Sequence, residues 1–400
     1  MGPLYASRRS ASIEYAIRDI VVPATELERK GHELIKLNIG DPLSYPGLPT
    51  PPHMVEAFKR ALENQRNGYG PSYGIEELRV AIANDEVSKG WGCEPKDVYV
   101  THGVTEALQV LFAAFLEEGD TVLAPGPHYP PYMAYPQMYG ATTLEYALDS
   151  DDGWAINVQD IREKMDESVR FIVIVNPNNP TGNVAKPSTI REVLDIASEW
   201  PNCTIIADEI YDALDFSGDQ TSIASQSTDV PVVTLNGVSK VHFAPGWRIG
   251  YMAFHDPMER LIGPRDGVER ILRSRLCAST PAQHGYIAGL NHDRSWLKER
   301  LVDIKSRVDL CMERIDGIDG ISCQRPGGAF YLFPRIDEPS KFGNDKDFVL
   351  DLLHQEHVLV VHGSGFSPKY GSGHFRMVAL APEDILSEAF DRIDRFVRSR

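Results

Sequence analysis

"RFIVIVNPNNPTG", residues 170–182, is the stretch on which the fold turns. Phe171 to Val175 form a short β-rich apolar run, and two Asn-Pro steps and Gly182 follow it at once, so a strand is predicted to end in a tight turn. Asn179 would then offer its side-chain amide at the mouth of a sheet.

The same texture repeats on both sides of this stretch. "VYVTHG", "VTEALQVLFAAFLEEG" and "TVLAPGPHY" precede it; "STIREVLDIASEW", "CTIIADEIY" and "VVTLNGVSK" follow. Strand, helix and strand in alternation read as a mostly parallel sheet with helices on both faces. Functional loops are then expected at the carboxyl ends of the strands. Beyond residue 290 the pattern shifts to "RSWLKERLVDIKSRVDLCMERID", "GISCQRPGGAFYLFPRI", "DKDFVLDLLHQEH", "VLVVHG" and a last helix from "PEDILSEAFDRIDRFVRS", an α+β piece. The strand "LIKLNIG" in the first 40 residues could join it. We therefore expect an N-terminal segment, 1–45, that joins a small C-terminal domain, 291–400, and a large domain, 46–290. A chain of 400 residues is long enough for two such units.

The chain carries 57 acidic and 40 basic residues, a net charge of −17, and no dense Lys/Arg cluster. Nucleic acid and membrane surfaces are therefore disfavoured as partners. Cys93, Cys203, Cys277, Cys311 and Cys323 are odd in number and widely spaced, so neither a disulfide framework nor a thiolate metal site is expected. With no apolar signal-peptide core and no run of about 18 apolar residues, a cytoplasmic location is expected.

Five segments carry chemistry. In "NGVSKVHFAPGWRIGY", residues 236–251, Lys240 stands among small and apolar residues. An amine in a water-poor pocket loses solvation as a cation and becomes a nucleophile for an aldehyde, whereas a surface lysine simply keeps its head in water. Asp208 closes the run "IIAD", where a carboxylate needs a cation or strong donors, or else caps a helix. Tyr211 lies three residues on. "THGVTEALQVLF" puts Gly103, Val104 and Thr105 at a helix start, where free N–H groups attract phosphate. Arg248 and Ser239 could add a cation and a hydroxyl, and Tyr129, in "PGPHYPPY", could stack on a planar ring or merely pack. Together these are the parts that a pyridine aldehyde phosphate demands.

The sequence resembles the fold-type I pyridoxal-phosphate aminotransferases from about residue 13 onward. "YGPSYGIEELRVAIA", "NPNNPTG", "DEIY", "SK" with Arg248 eight residues on, and "HFRMVAL" occur in the family's order. "NIGDP", "PGPHYPPY", "CASTPAQ" and "HVLVVHGSGF" look most like the archaeal-type alanine aminotransferases. The resemblance implies a large domain with a seven-stranded, mostly parallel sheet. It implies that Lys240 holds pyridoxal 5′-phosphate as a Schiff base and shuttles the proton, while Asp208 keeps the pyridine nitrogen protonated. Tyr211 and Asn179 would bond the phenolic oxygen, and Tyr129 would stack on the ring. Gly103, Val104, Thr105, Ser239 and Arg248 would hold the phosphate. Tyr69 would reach it from a partner subunit, in a homodimer with shared sites. Arg376, with Gly40, Tyr129 and Asn179 nearby, would receive the substrate.

One position departs from the family: Gly237 stands where many members have a Ser or Thr that touches the phosphate. The implied reaction passes an amino group from an amino acid to a 2-oxo acid in two half-reactions, with alanine and 2-oxoglutarate as the expected pair. Glutamate must fit the same site as its small partner, so a mobile cation is expected; Tyr15 and Arg18, in "IEYAIRDI", are the candidates, although they read equally as a solvated helix face. An aromatic, aspartate or broad aminotransferase, a carbon–sulfur β-lyase, and an inactive cofactor-binding regulator are the alternatives. No helix-turn-helix segment precedes residue 13, which disfavours the regulator. No metal is required, and His354, His357 and His362 are expected to point apart.

Overall fold

The computed structural model describes residues 5–11, 20–218 and 221–400. Tyr15 and Arg18 lie outside the described residues.

The central sheet runs, edge to edge, Val98–Thr101, Gly250–His255, Val232–Gly237, Thr204–Asp208, Val169–Val175, Thr121–Gly126, Thr142–Asp149 and Ala155–Ile156. Gly250–His255 is antiparallel to both of its neighbours, and the inner strands pair in parallel. The sheet thus has eight strands where seven were expected. The addition is a two-residue strand that folds back antiparallel on the outer edge, pairing Leu148 with Ile156 and Asp149 with Ala155. Its cause is a turn in which the Trp154 N–H returns 2.7 Å to the Asp149 carbonyl and the Trp154 ring is buried.

Both faces of the sheet are covered, which is why its inner strands read as apolar runs rather than as alternations. Phe171, Val173, Ile206 and Val233 face one way, into a cluster with Leu108, Leu111 and Phe112 of helix Gly103–Phe115 and Val268 and Leu272 of helix Ile262–Arg275. Ile172, Ile174, Ile205 and Val232 face the other way, toward Ile190, Val193 and Leu194 of helix Pro187–Ser198.

Parallel register also fixes where the loops emerge. Val175 pairs with Asp208 and Asp208 with Leu235, so two adjacent strands end at one level and the third runs two residues further, to Gly237. The turns 176–182, 209–214 and 238–248 therefore leave the sheet side by side.

The C-terminal part is built on a three-stranded antiparallel sheet, Tyr331–Leu332, Phe375–Val378 and Val361–His362, beside helices Ser295–Asp316, Asp345–Glu356 and Glu383–Arg398. Of "LIKLNIG" only Ile35–Lys36 forms a strand, pairing in parallel with Val358–Leu359. Leu37 then accepts from the Val378 N–H at 3.0 Å, so the N-terminal segment is tied to the C-terminal sheet and passes on to the sheet mouth.

His354 lies in the last turn of helix Asp345–Glu356, His357 stacks on His32 at 4.5 Å, and buried His362 bonds the Ser364 hydroxyl at 2.9 Å. Among the described residues, no three His, Cys, Asp or Glu side chains are grouped to hold a metal, and no helix is long and apolar enough to cross a membrane. All five cysteines are free.

Candidate active site

A cleft of about 450 Å³ opens over the aligned strand ends, and its walls include Gly40, Val104, Thr105, Tyr129, Asn179, Asp208, Tyr211, Ser239, Lys240, Arg248 and Arg376. The structure thus brings together eleven of the residues singled out in the sequence. Gly103 adjoins them, since the Arg248 guanidinium packs against its backbone. Tyr69 does not line the cleft of its own chain and is 86% exposed.

Lys240 sits in the loop after strand Val232–Gly237. Its Nζ donates to the Gly40 carbonyl at 2.6 Å and lies 6.0 Å from the centre of the Phe330 ring. The loop is closed at its base by Val238 N–H to Ile249 O and Ala244 N–H to Val238 O, both 3.1 Å. Gly237 has a steric reason: a Cβ there would lie 2.7 Å from the Gly250 Cα and within 2.5 Å of the Ile249 carbonyl. The two strands pack backbone to backbone here and leave no room for a side chain.

Asp208, at the end of its strand, is buried. Its Oδ2 accepts from the Tyr132 hydroxyl at 2.5 Å, and its Oδ1 accepts from the Ile210 N–H at 3.2 Å. Burial raises its pKa to about 6, against the pull of the Tyr132 and Ile210 hydrogen bonds and of Lys240. The chain beyond it does not continue as a helix but tightens into the short 3₁₀ turn Asp212–Leu214. Asp212 anchors that turn, 2.8 Å from Lys89, which also meets Glu86 at 2.7 Å. Tyr211, just before that turn, lines the cleft, its hydroxyl 2.8 Å from that of Tyr331. Burial holds the Tyr211 phenol well above its ordinary range.

Helix Gly103–Phe115 begins at the cleft, which Val104 and Thr105 line, with no side-chain cap, and a helix start of this kind leaves its first N–H groups available to a ligand. Close packing keeps the cradle tight: a Cβ on Gly250 would sit 2.7 Å from the Gly103 carbonyl carbon and 2.8 Å from the Val104 nitrogen. Arg248, in a left-handed conformation at φ 53°, donates to the carbonyls of Pro245 at 2.9 Å and His102 at 3.3 Å.

Arg376, also lining the cleft, is buried against two rings, 4.9 Å from the centre of Tyr331 and 4.7 Å from that of Phe366. It donates to the Asn38 carbonyl at 2.6 Å and to Oδ1 of Asn179 at 3.0 Å. Gly40 faces the same corner, where a Cβ would collide with the Tyr331 hydroxyl.

These groups suit the pyridine aldehyde phosphate that the sequence led us to expect. An uncapped helix start beside an arginine fits a phosphate. A buried carboxylate with a raised pKa calls for a cation such as a protonated ring nitrogen. A primary amine, that of Lys240, lines the same cleft. Sequence reading passed over Tyr132, Tyr331, Phe330, Phe366 and Asn38. Tyr132 was signalled only by its place three residues after Tyr129, and Tyr331 lies inside the apolar run "AFYLF", which reads as core.

Residues 32–393 match the family described as aminotransferase class I and II. The glutamate-pyruvate aminotransferase AlaA of Haemophilus influenzae is 36% identical, with 97% of this chain and 98% of that protein covered. The alanine aminotransferase of Mycobacterium tuberculosis is 34% identical, over 98% of this chain and 93% of its own. Among solved structures, an alanine aminotransferase from Pyrococcus furiosus superposes with a TM-score of 0.96 at 47% identity, covering 99% of this chain and 100% of that one.

Proposed function

The chain belongs to the class I and II aminotransferases, and on that premise we propose that it exchanges the amino group of L-alanine with 2-oxoglutarate, giving pyruvate and L-glutamate. Pyridoxal 5′-phosphate is the cofactor of this family. The observation that carries the reading is the meeting of Lys240, Asp208, Arg376 and the uncapped start of helix Gly103–Phe115 on one cleft. The names of the relatives support alanine as the donor.

When bound, the cofactor supplies an aldehyde that takes up the amino group and a ring that accepts electron density. The remaining work falls to the chain. The N–H groups of Gly103, Val104 and Thr105, the Ser239 hydroxyl and Arg248 hold the phosphate. Asp208 would pair with the ring nitrogen and keep a proton there, since a buried carboxylate is far better paired than alone. Tyr211 and Asn179, which line the cleft, would bond the cofactor's phenolic oxygen, and Tyr129 would offer its ring as a stacking surface. Arg376 grips the substrate α-carboxylate by two parallel donors, with the Gly40 backbone beside it. Lys240 Nζ would take the proton from the substrate α-carbon and carry it across the cleft as the general base and acid of the transfer.

The surrounding organisation is part of the same proposal. Residues 46–290 form the cofactor domain, and 1–45 with 291–400 the smaller one. Two copies pair with shared sites, Tyr69 reaching the partner's phosphate; its exposure on its own chain supports this. A cytoplasmic location suits the five free cysteines.

The test is a single-turnover absorbance titration of the cofactor-loaded protein with alanine, aspartate, phenylalanine, valine and cystathionine. Alanine is expected to convert the bound cofactor to its amine form fastest, and Lys240→Ala to abolish the conversion. Faster conversion by aspartate or phenylalanine, or release of pyruvate and ammonia without an oxo-acid acceptor, would replace the alanine reading.

A further inference from the structure

Tyr331 comes from the C-terminal sheet, yet it touches three parts of the cleft. Its hydroxyl lies 2.8 Å from the Tyr211 hydroxyl, its ring lies 4.9 Å from the Arg376 guanidinium carbon, and its oxygen fills the space where residue 40 would carry a Cβ. Strand pairing fixes this position: Tyr331 is opposite Val378, two residues from Arg376 on the neighbouring strand. Both tyrosines are buried, so neither hydroxyl exchanges its partner readily for bulk water.

Between two phenols only one proton can lie in the shared bond. If Tyr211 donated to Tyr331, it would have no proton left for an acceptor in the cleft. If Tyr331 donates, the Tyr211 proton is free, and its oxygen, polarised by the incoming bond, makes it a stronger donor. We propose that Tyr331 is a positioning residue for the transfer reaction: its hydroxyl donates to the Tyr211 oxygen and turns the Tyr211 proton into the cleft, while its ring seats Arg376. One side chain thus aligns the carboxylate clamp with the phenol that faces the cofactor's phenolic oxygen. This inference rests on the function proposed above.

The two roles separate by variant in the cofactor-loaded protein. Tyr331→Phe keeps the ring and loses only the hydroxyl, so Tyr211 becomes a weaker donor and the phenolic oxygen holds its charge less well. The pH midpoint of the bound cofactor's absorbance change is expected to rise by roughly half to one unit. The KM for alanine should stay within about twofold, because the ring under Arg376 remains. Tyr331→Leu removes both supports and should shift the midpoint and raise KM together. In a Tyr211→Phe background, Tyr331→Phe should add nothing to the midpoint.

An unchanged midpoint in Tyr331→Phe, or a full shift that persists without the Tyr211 hydroxyl, would overturn the proposal. Should Tyr331→Phe fail to fold, 3-fluorotyrosine at position 331, a more acidic donor, must move the midpoint downward; no movement overturns the proposal equally. A wild-type protein that binds no cofactor would refute the proposed function itself, whereas a coloured wild type with an unmoved variant refutes only the role of Tyr331.

Discussion

The Tyr132 hydroxyl donates to Oδ2 of Asp208 across 2.5 Å, and both side chains are buried. Tyr132 is held for this from behind, its own carbonyl accepting from the Thr143 hydroxyl at 2.9 Å. Removing the oxygen in Tyr132→Phe leaves the ring packing intact and takes a donor from a carboxylate that has few. Hydrogen bonds to charged groups contribute about 1.5–3 kcal/mol, so cofactor affinity should fall on the order of ten- to a hundredfold. Titrating the apoprotein with cofactor and following quenching of tryptophan emission measures it; equal affinities in variant and wild type would remove Tyr132 from the site.

Asp208 also gives the apoprotein a pH signature. The fold raises this carboxyl from 3.8 to about 6, so in the apoprotein it stays protonated to a higher pH than in the unfolded chain. Its contribution to stability is complete below the unfolded value and is lost as pH rises through about 6. The loss is on the order of 3 kcal/mol, because each tenfold change in proton affinity is worth about 1.4 kcal/mol. Asp208→Asn has no proton to lose, so its apoprotein should gain on wild type in urea-unfolding midpoint between about pH 4 and pH 7. Parallel pH profiles would show that the carboxylate is well satisfied without a cation.

What could be read from the sequence was whatever lies close together along the chain. Asn179, Asp208, Ser239 and Lys240 were legible because each follows a β-rich run, and parallel register then delivers such turns to one edge. Tyr132 and Tyr331 were not, because their partners lie 76 and 120 residues away and a phenol within an apolar run reads as packing. The strand Ala155–Ile156 was missed for a different reason. Two residues carry no period, and only the backbone turn at Asp149 to Trp154 creates the pairing. "LIKLNIG" erred in the opposite sense: its β-rich run spans seven residues, but only Ile35 and Lys36 find a partner strand.

Gly237 makes a prediction from packing alone. Restoring a hydroxyl by Gly237→Ser would place a Cβ against the Ile249 carbonyl and the Gly250 Cα, both backbone atoms that cannot swing aside. Overpacking of this kind costs about 1–3 kcal/mol, so the variant should unfold at lower urea and bind cofactor no more tightly than wild type. A variant of unchanged stability with a tighter phosphate site would mean that the two strands can part at little expense.

The cations lining the cleft among the described residues are Lys240, Arg248 and Arg376. In the proposed function all three are engaged, by the cofactor aldehyde, its phosphate and the α-carboxylate, and the nearby Asp41 would repel a second carboxylate. A five-carbon dicarboxylate therefore requires another cation, and Arg18 is three residues upstream of Val21, which lines the cleft. Arg18→Ala should raise the KM for glutamate and 2-oxoglutarate by roughly tenfold or more, the worth of a charge-assisted hydrogen bond, and leave alanine and pyruvate within about twofold. Steady-state kinetics in both directions separates the cases: an equal loss for alanine would make Arg18 a structural residue, and no loss for 2-oxoglutarate would send the search for its counter-charge to the partner subunit.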